Sequence, residues 1–248
     1  MKVIYILWLR QIKRYYRSKS RVVGSLGQPV LLLVALGFGF GPIYQRAGGG
    51  DYIQFLAPGI ISMGILFMAI FSGIEIIWDR QFGFLKETLV APVSRFTIMF
   101  GRTLGGATVA VAQGLIIFLI AFLVGFRPAD AHLVLPALLI MVLIALFFTA
   151  LGTAIASLLE DMHGFQLIMN FLVMPLFFLS GALFPLQGLP RALTIIAVID
   201  PLSYGVDGLR GTLASGAHFG LGVDFLVLSV ITAIMLGIGS YLFSKIQI

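Results

Sequence analysis

Few side chains in this sequence have the types and spacing to do chemistry. Glu75 lies near the end of Phe55–Ile77, a run with no other charge. An acid held in hydrocarbon costs about 2.5–3.5 kcal/mol on insertion scales. Glu75 therefore fits either an interfacial acid paired with Arg80 or the basic N-terminus, or an ion or proton site. Ser180 and His218 have the residue types of a hydrolase nucleophile and base. However, Phe178 stands where a glycine usually precedes such a serine, and His218 falls in a Gly-rich polar stretch. His132, His163 and His218 are widely separated and the chain has no cysteine, so no metal-ligand spacing and no disulfide are present. The dipeptide Gly-Lys never occurs, which excludes a phosphate-cradling P-loop.

The elements that must position these residues are apolar. Of 248 residues 60% are hydrophobic and only 10% charged, against roughly 25% charged in soluble domains. The runs 22–43, 103–126, 133–159 and 164–184 contain no charged residue and are each at least 21 residues long. With 55–77 and 225–243 they make six predicted spans, since about 20 helical residues cross the hydrocarbon core. The sequence thus predicts an all-α membrane protein, with residues 1–248 forming a single transmembrane domain. Twelve of the sixteen Lys and Arg lie in residues 1–21, in 78–102 or at Lys245. The positive-inside rule then places both termini and the 78–102 segment in the cytoplasm. The net charge of +6 reflects these loops rather than a nucleic-acid surface.

Residues 1–21 predict an interfacial amphipathic helix, with Tyr5, Trp8, Leu9, Ile12, Tyr15 and Tyr16 on one face. Arg10, Lys13, Arg14 and Arg17 lie on the other and would anchor it to anionic headgroups. In 78–102, Phe82, Leu85 and Leu89 fall at i, i+3, i+7, and Pro92 ends the pattern, so a short amphipathic helix follows the second span. The segment 185–224 is broken by Pro185, Pro190 and Pro201, and its apolar stretch 192–199 is too short to span. It predicts short re-entrant helices between spans five and six, with an Asp207–Arg210 pair at i, i+3. Gly37-x-x-x-Gly41 and Gly101-x-x-x-Gly105 match the close-packing motif.

The stretch Trp78-Asp79-Arg80-Gln81-Phe82-Gly83 is followed by Lys86-Glu87-x-Leu89-x-Ala91-Pro92-Val93-Ser94-Arg95 and Gly101. Further on come Phe178-x-Ser180-Gly181-x-x-Phe184-Pro185, Leu189-Pro190, and Asp200-Pro201-Leu202-Ser203-Tyr204-x-x-Asp207-x-x-Arg210. Together with the six spans and the basic N-terminal helix, these resemble type-2 ABC exporter permeases, among them drug-resistance and nodulation-factor export permeases. Gln81 departs from the acid often found there. The resemblance implies a plasma-membrane homodimer of permeases joined to two copies of a separate ATPase, which binds ATP and Mg. Carried onto this chain, it makes Arg80, Gln81, Phe82, Gly83, Lys86 and Glu87 the ATPase-coupling surface, with Glu160 and Asp161 a second contact. Phe171, Phe177, Phe178, Ser180, Phe184, Asp207 and Arg210 are candidate pathway or gate residues for an apolar or amphipathic cargo such as a lipid, glycolipid or drug. An ion-coupled transporter or channel using Glu75, and an intramembrane protease using Ser180 and His218, are the alternatives.

Overall fold

The computed structural model describes residues 2–188, 190–214 and 216–246, and its regular elements are all helical. Helix α1 (Lys2–Arg17) leads into α2 (Lys19–Arg46), α3 (Tyr52–Phe71), α4 (Ile74–Gln81) and α5 (Phe84–Val90). Then come α6 (Arg95–Val124), a 3-10 turn (Ala131–Leu133), α7 (Val134–Leu158), α8 (Met162–Leu179), α9 (Arg191–Ile199), α10 (Pro201–Leu213) and α11 (Leu221–Ser244). Six helices among the described residues are long and apolar enough to cross a membrane: α2, α3 continued by α4, α6, α7 with its 3-10 turn, α8 and α11. This is the all-α membrane architecture expected from the uncharged runs.

Helix ends are fixed by local chemistry. Asp51, Ser94, Asp161 and Asp200 each accept a hydrogen bond from a first-turn backbone N–H of α3, α6, α8 and α10, at 2.9, 3.2, 2.6 and 2.8 Å. Ser94 starts α6 at Arg95, eight residues before the uncharged run does. Ser94→Ala should cost about 1 kcal/mol, seen as a thermal midpoint lowered by about 2–4 °C in detergent. The run 164–184 does not stay helical to its end. Helix α8 stops at Leu179, and Gly181 turns the chain in the left-handed region at φ +76°, where a side chain would be strained. Two short helices are present here, as expected: α9 and α10 meet at 87° across Asp200, where Pro201 takes the first helical position and needs no N–H partner.

Helix α3 forms the centre. In its most apolar stretch 78% of residues are buried, against 17% in α2 and in α11, so those two leave most of their surface uncovered by the rest of the chain. At the α3–α4 kink, α7 crosses backbone on backbone. A Cβ built at Gly73 would collide with the Gly152 carbonyl, and one at Gly152 with that of Ile70.

Helix α1 packs on α6 through Leu7, Gln11 and Tyr15. Of the aromatic face expected from its sequence, Tyr5 and Tyr16 are exposed instead. The seat decides this face: Gly101 and Gly105 let α6 approach until a Cβ at Gly105 would stand 2.6 Å from that of Gln11. The other glycine pair is used only at Gly37, against Ile53, while Gly41 faces open space.

Candidate functional site

At the end of the bundle that carries α1, six charged side chains converge. Asp79 on α4 accepts two hydrogen bonds from Arg10, at 3.0 and 2.8 Å, and one from Arg102 of α6. Glu75, one turn earlier, pairs with Arg21 at 2.8 Å, and Arg14 lies 3.7–3.8 Å from both acids. The i, i+4 spacing of the acids on α4 meets the same spacing of Arg10 and Arg14 on α1, so the two helices are clamped along one turn. Trp8 Nε1 donates to Thr108 Oγ1 at 3.0 Å, and the Tyr15 hydroxyl donates to Gln113 Oε1 at 2.7 Å. Burial lowers the Arg10 pKa, and the nearby Glu75 offsets this only in part. An ion pair of this kind gives geometry more than net stability, because desolvation offsets much of the attraction.

Sequence reasoning foresaw Glu75 near the N-terminal helix, but not Asp79 or Arg102. Both lie at the margins of the 78–102 segment, Arg102 among its basic loop residues and Asp79 within the Trp78–Gly83 stretch. The i, i+4 match between the two helices was the available signal. Of the expected headgroup anchors, Lys13 and Arg17 are exposed, whereas Arg10 and Arg14 turn inward to the acids.

The clamp extends to α5. The Arg10 guanidinium stacks on the Phe84 ring at 3.9 Å, a contact reinforced by the ring's negative face. Gly83, at φ +77°, breaks the helix between α4 and α5. Phe82 therefore does not share a stripe with Leu85 and Leu89. Leu85 is 1% exposed and inserted into the bundle, while Phe82 and Val90 are 81% and 85% exposed. Gln81, Lys86 and Glu87 are exposed as well. Arg80 is turned inward, donating to the carbonyls of Leu159 and Ser157 at 3.0 and 3.4 Å. Glu160 and Asp161 are exposed beside it, with Asp161 committed to its capping bond.

At the opposite end, Ser180, Asp207 and Arg210 do come together, lining a cavity of about 230 Å³ with Ser203 and His218. Asp207 and Arg210 do not pair with each other. The Asp207 carboxylate accepts from the backbone N–H of His218 and Phe219 at 2.7–2.8 Å. Arg210 donates to the Gly181 carbonyl at 2.9 Å and stacks on Phe55 at 4.0 Å. These bonds, with Tyr52 donating to the Leu183 carbonyl at 2.9 Å, stitch the turn after α8 to α3 and α10. Ser180 donates to the Phe177 carbonyl at 2.8 Å, so its hydroxyl is occupied rather than presented to His218. The phenylalanines expected to share one wall divide. Phe177 is buried, Phe171 and Phe178 project from the exposed side of α8, and Phe184 borders an apolar groove against the end of α2. Leu189 lies outside the described residues.

A family model described as ABC-2 type transporter matches residues 2–214. Nodulation protein J of Rhizobium leguminosarum bv. viciae is 30% identical over 213 residues, 83% of this chain and 82% of its own. A protein of Porphyra purpurea named as a transport permease, ycf38, is 30% identical over 81% of this chain and 70% of its own. Nodulation protein J of Sinorhizobium fredii is 26% identical over 94% and 91%.

Proposed function

The chain belongs to the ABC-2 type transporter family and is a multi-pass membrane transport permease, and from that premise we propose that it is the membrane half of an ATP-driven exporter. Two copies of a separate ATPase bind ATP and Mg and press on the cytoplasmic end of a permease homodimer in the plasma membrane. Both termini face the cytoplasm, as the distribution of basic residues favours. The ATPase grips the surface formed by Gln81, Phe82, Lys86, Glu87 and Val90.

The observation that supports this reading best is the two-sided character of the 81–90 segment. Its outer side carries an 81% exposed phenylalanine at the end of α4. Its inner side is fixed through Leu85 to the core and through Phe84 and Arg10 to Asp79. A push on the outer side is therefore delivered to α4, α1 and α6 together. Helix α4 continues α3, the most buried span, so the displacement enters the centre of the bundle. Such motion opens a path at one end and closes it at the other, which is alternating access. The exposed face of α8, with Phe171 and Phe178, suits an apolar or amphipathic cargo passing between two copies. The cavity at Arg210 and Asp207 lies at the outer exit.

The test is co-purification. Phe82→Asp, which removes an exposed apolar anchor and touches no internal contact, should weaken capture of the ATPase by roughly tenfold or more. The tagged variant should keep wild-type expression and elution. Undiminished capture and export by this variant would refute the assigned grip.

A further inference from the structure

Helix α8 is tied to the rest of the chain along one stripe, Phe165, Met169, Val173 and Phe177. Its other side is bare: Leu167 is 72% exposed, Phe171 85% and Phe178 48%. Lipid would suit those side chains. It would not suit Gln166 and Asn170, which are exposed as well. The two amides stand at i, i+4, one helical turn apart. Asn170 is the ninth of the 18 residues of α8, a helix long and apolar enough to cross a membrane. Its amide therefore sits at mid-span.

Neither amide has a hydrogen-bond partner among the described residues. The hydrocarbon core offers none, and an amide placed there without a partner is costly. Pro175 adds a third group in need. It lies inside α8 and is exposed, and it lacks the N–H that a helix would otherwise bring to the Phe171 carbonyl. Water would satisfy these polar groups but would also wet Leu167, Phe171 and Phe178. A protein face that brings amides to the same depth, with apolar side chains around them, satisfies both.

A second copy of this chain presents such a face. A two-fold axis along the membrane normal sets each Asn170 at the depth of its equivalent. An amide is donor and acceptor at once, so it pairs with a copy of itself. We infer that α8 of one copy packs on α8 of a second, Asn170 against Asn170, with Gln166 one turn nearer the Asp161 end. The contact closes the space between the copies at mid-membrane when no cargo is present. Amide bonds between spans hold helices together, and a single amide at a helix seam fixes register. The inference rests on the homodimer proposed above and deepens it by naming the seam.

The chain has no cysteine, so one introduced thiol reports its own neighbour. The full chain, oxidised in its membrane with copper phenanthroline, should form a disulfide-linked dimer as Asn170→Cys. Ile234→Cys, midway along α11 and 56% exposed, should remain largely uncrosslinked. In mild detergent the wild type should be a dimer by native mass spectrometry. Asn170→Leu should weaken its association roughly tenfold, whereas Asn170→Gln, which keeps the amide, should preserve it. Both substitutions fall on an exposed position, so elution and thermal midpoint serve as the check on folding. A wild-type dimer with no disulfide at 170, or with as much at 234, overturns the seam and leaves the homodimer standing. Labelling of Asn170→Cys by a charged maleimide in place of the disulfide would show that the face is wet, and overturns it too. A wild type that is monomeric refutes the homodimer and the seam with it.

Discussion

Removing the Asp79 carboxylate should cost about 3–5 kcal/mol of stability, the range for breaking a buried ion pair from one side. Arg102 is the reason. Its side chain is 3% exposed, its ion-pair partner is Asp79, and its Nε and Nη1 have no hydrogen-bond partner. Without that carboxylate a guanidinium stays buried with no direct ion-pair partner, and Arg10 loses both of its short bonds. Asp79→Asn should therefore abolish most accumulation of folded protein, measured by fluorescence-detected elution and thermal midpoint. Asp79→Leu combined with Arg102→Met should recover a large part of the loss, because replacing both partners removes the charge that would be stranded. Glu75→Gln should do less, since Arg14 retains Asp79 and Arg21 is partly exposed. A midpoint for Asp79→Asn equal to wild type would show that the clamp is not formed.

The second large effect is expected at the α3–α7 crossing. Gly152→Ala places a methyl group against the Ile70 carbonyl, and Gly73→Ala places one against the Gly152 carbonyl. The obstacle in each case is backbone rather than a flexible side chain, so relief requires one helix to move away from the other. The expected cost is about 3 kcal/mol, the upper end for overpacking, and a separation of the helices would also disturb the kink from which α4 projects. Alanine at Gly222, where a Cβ meets nothing within 4 Å, should leave both midpoint and transport unchanged. Equal midpoints for Gly152→Ala and Gly222→Ala would contradict the close crossing.

How far the sequence could be read depended on the kind of force involved. The six spans were legible because lipid demands long uncharged runs, and no tertiary knowledge is needed to find them. The short helices of 185–224 were legible from Pro185, Pro190 and Pro201, which interrupt a stretch too short to span. Apart from Glu75 beside the basic N-terminal helix, pairings across the fold were not. Asp207 and Arg210 stand at a spacing that permits a pair, yet each finds a better partner in distant backbone: Asp207 in the N–H groups of residues 218 and 219, Arg210 in the Gly181 carbonyl. The apolar stripe at 82, 85 and 89 misled for a related reason. It assumed one helix through Gly83, whereas a left-handed glycine there rotates Phe82 away and directs Leu85 into the bundle. Asp79 and Arg102 were hidden by their position at the ends of a basic loop, where burial depends on how α1 folds back.

The clamp also joins stretches of chain made at different times. Trp8 is bonded to a residue 100 positions later, and Arg10 to one 69 positions later. At a synthesis rate of roughly 5–20 residues per second, the leading helix emerges several seconds before its acids are polymerised, and longer before α6 is available to seat it. During that interval its arginines have only water and lipid phosphate to hold. A segment made early is thus among the last at this end to be fastened, and a nascent chain arrested before the third span would leave it loose on the membrane surface.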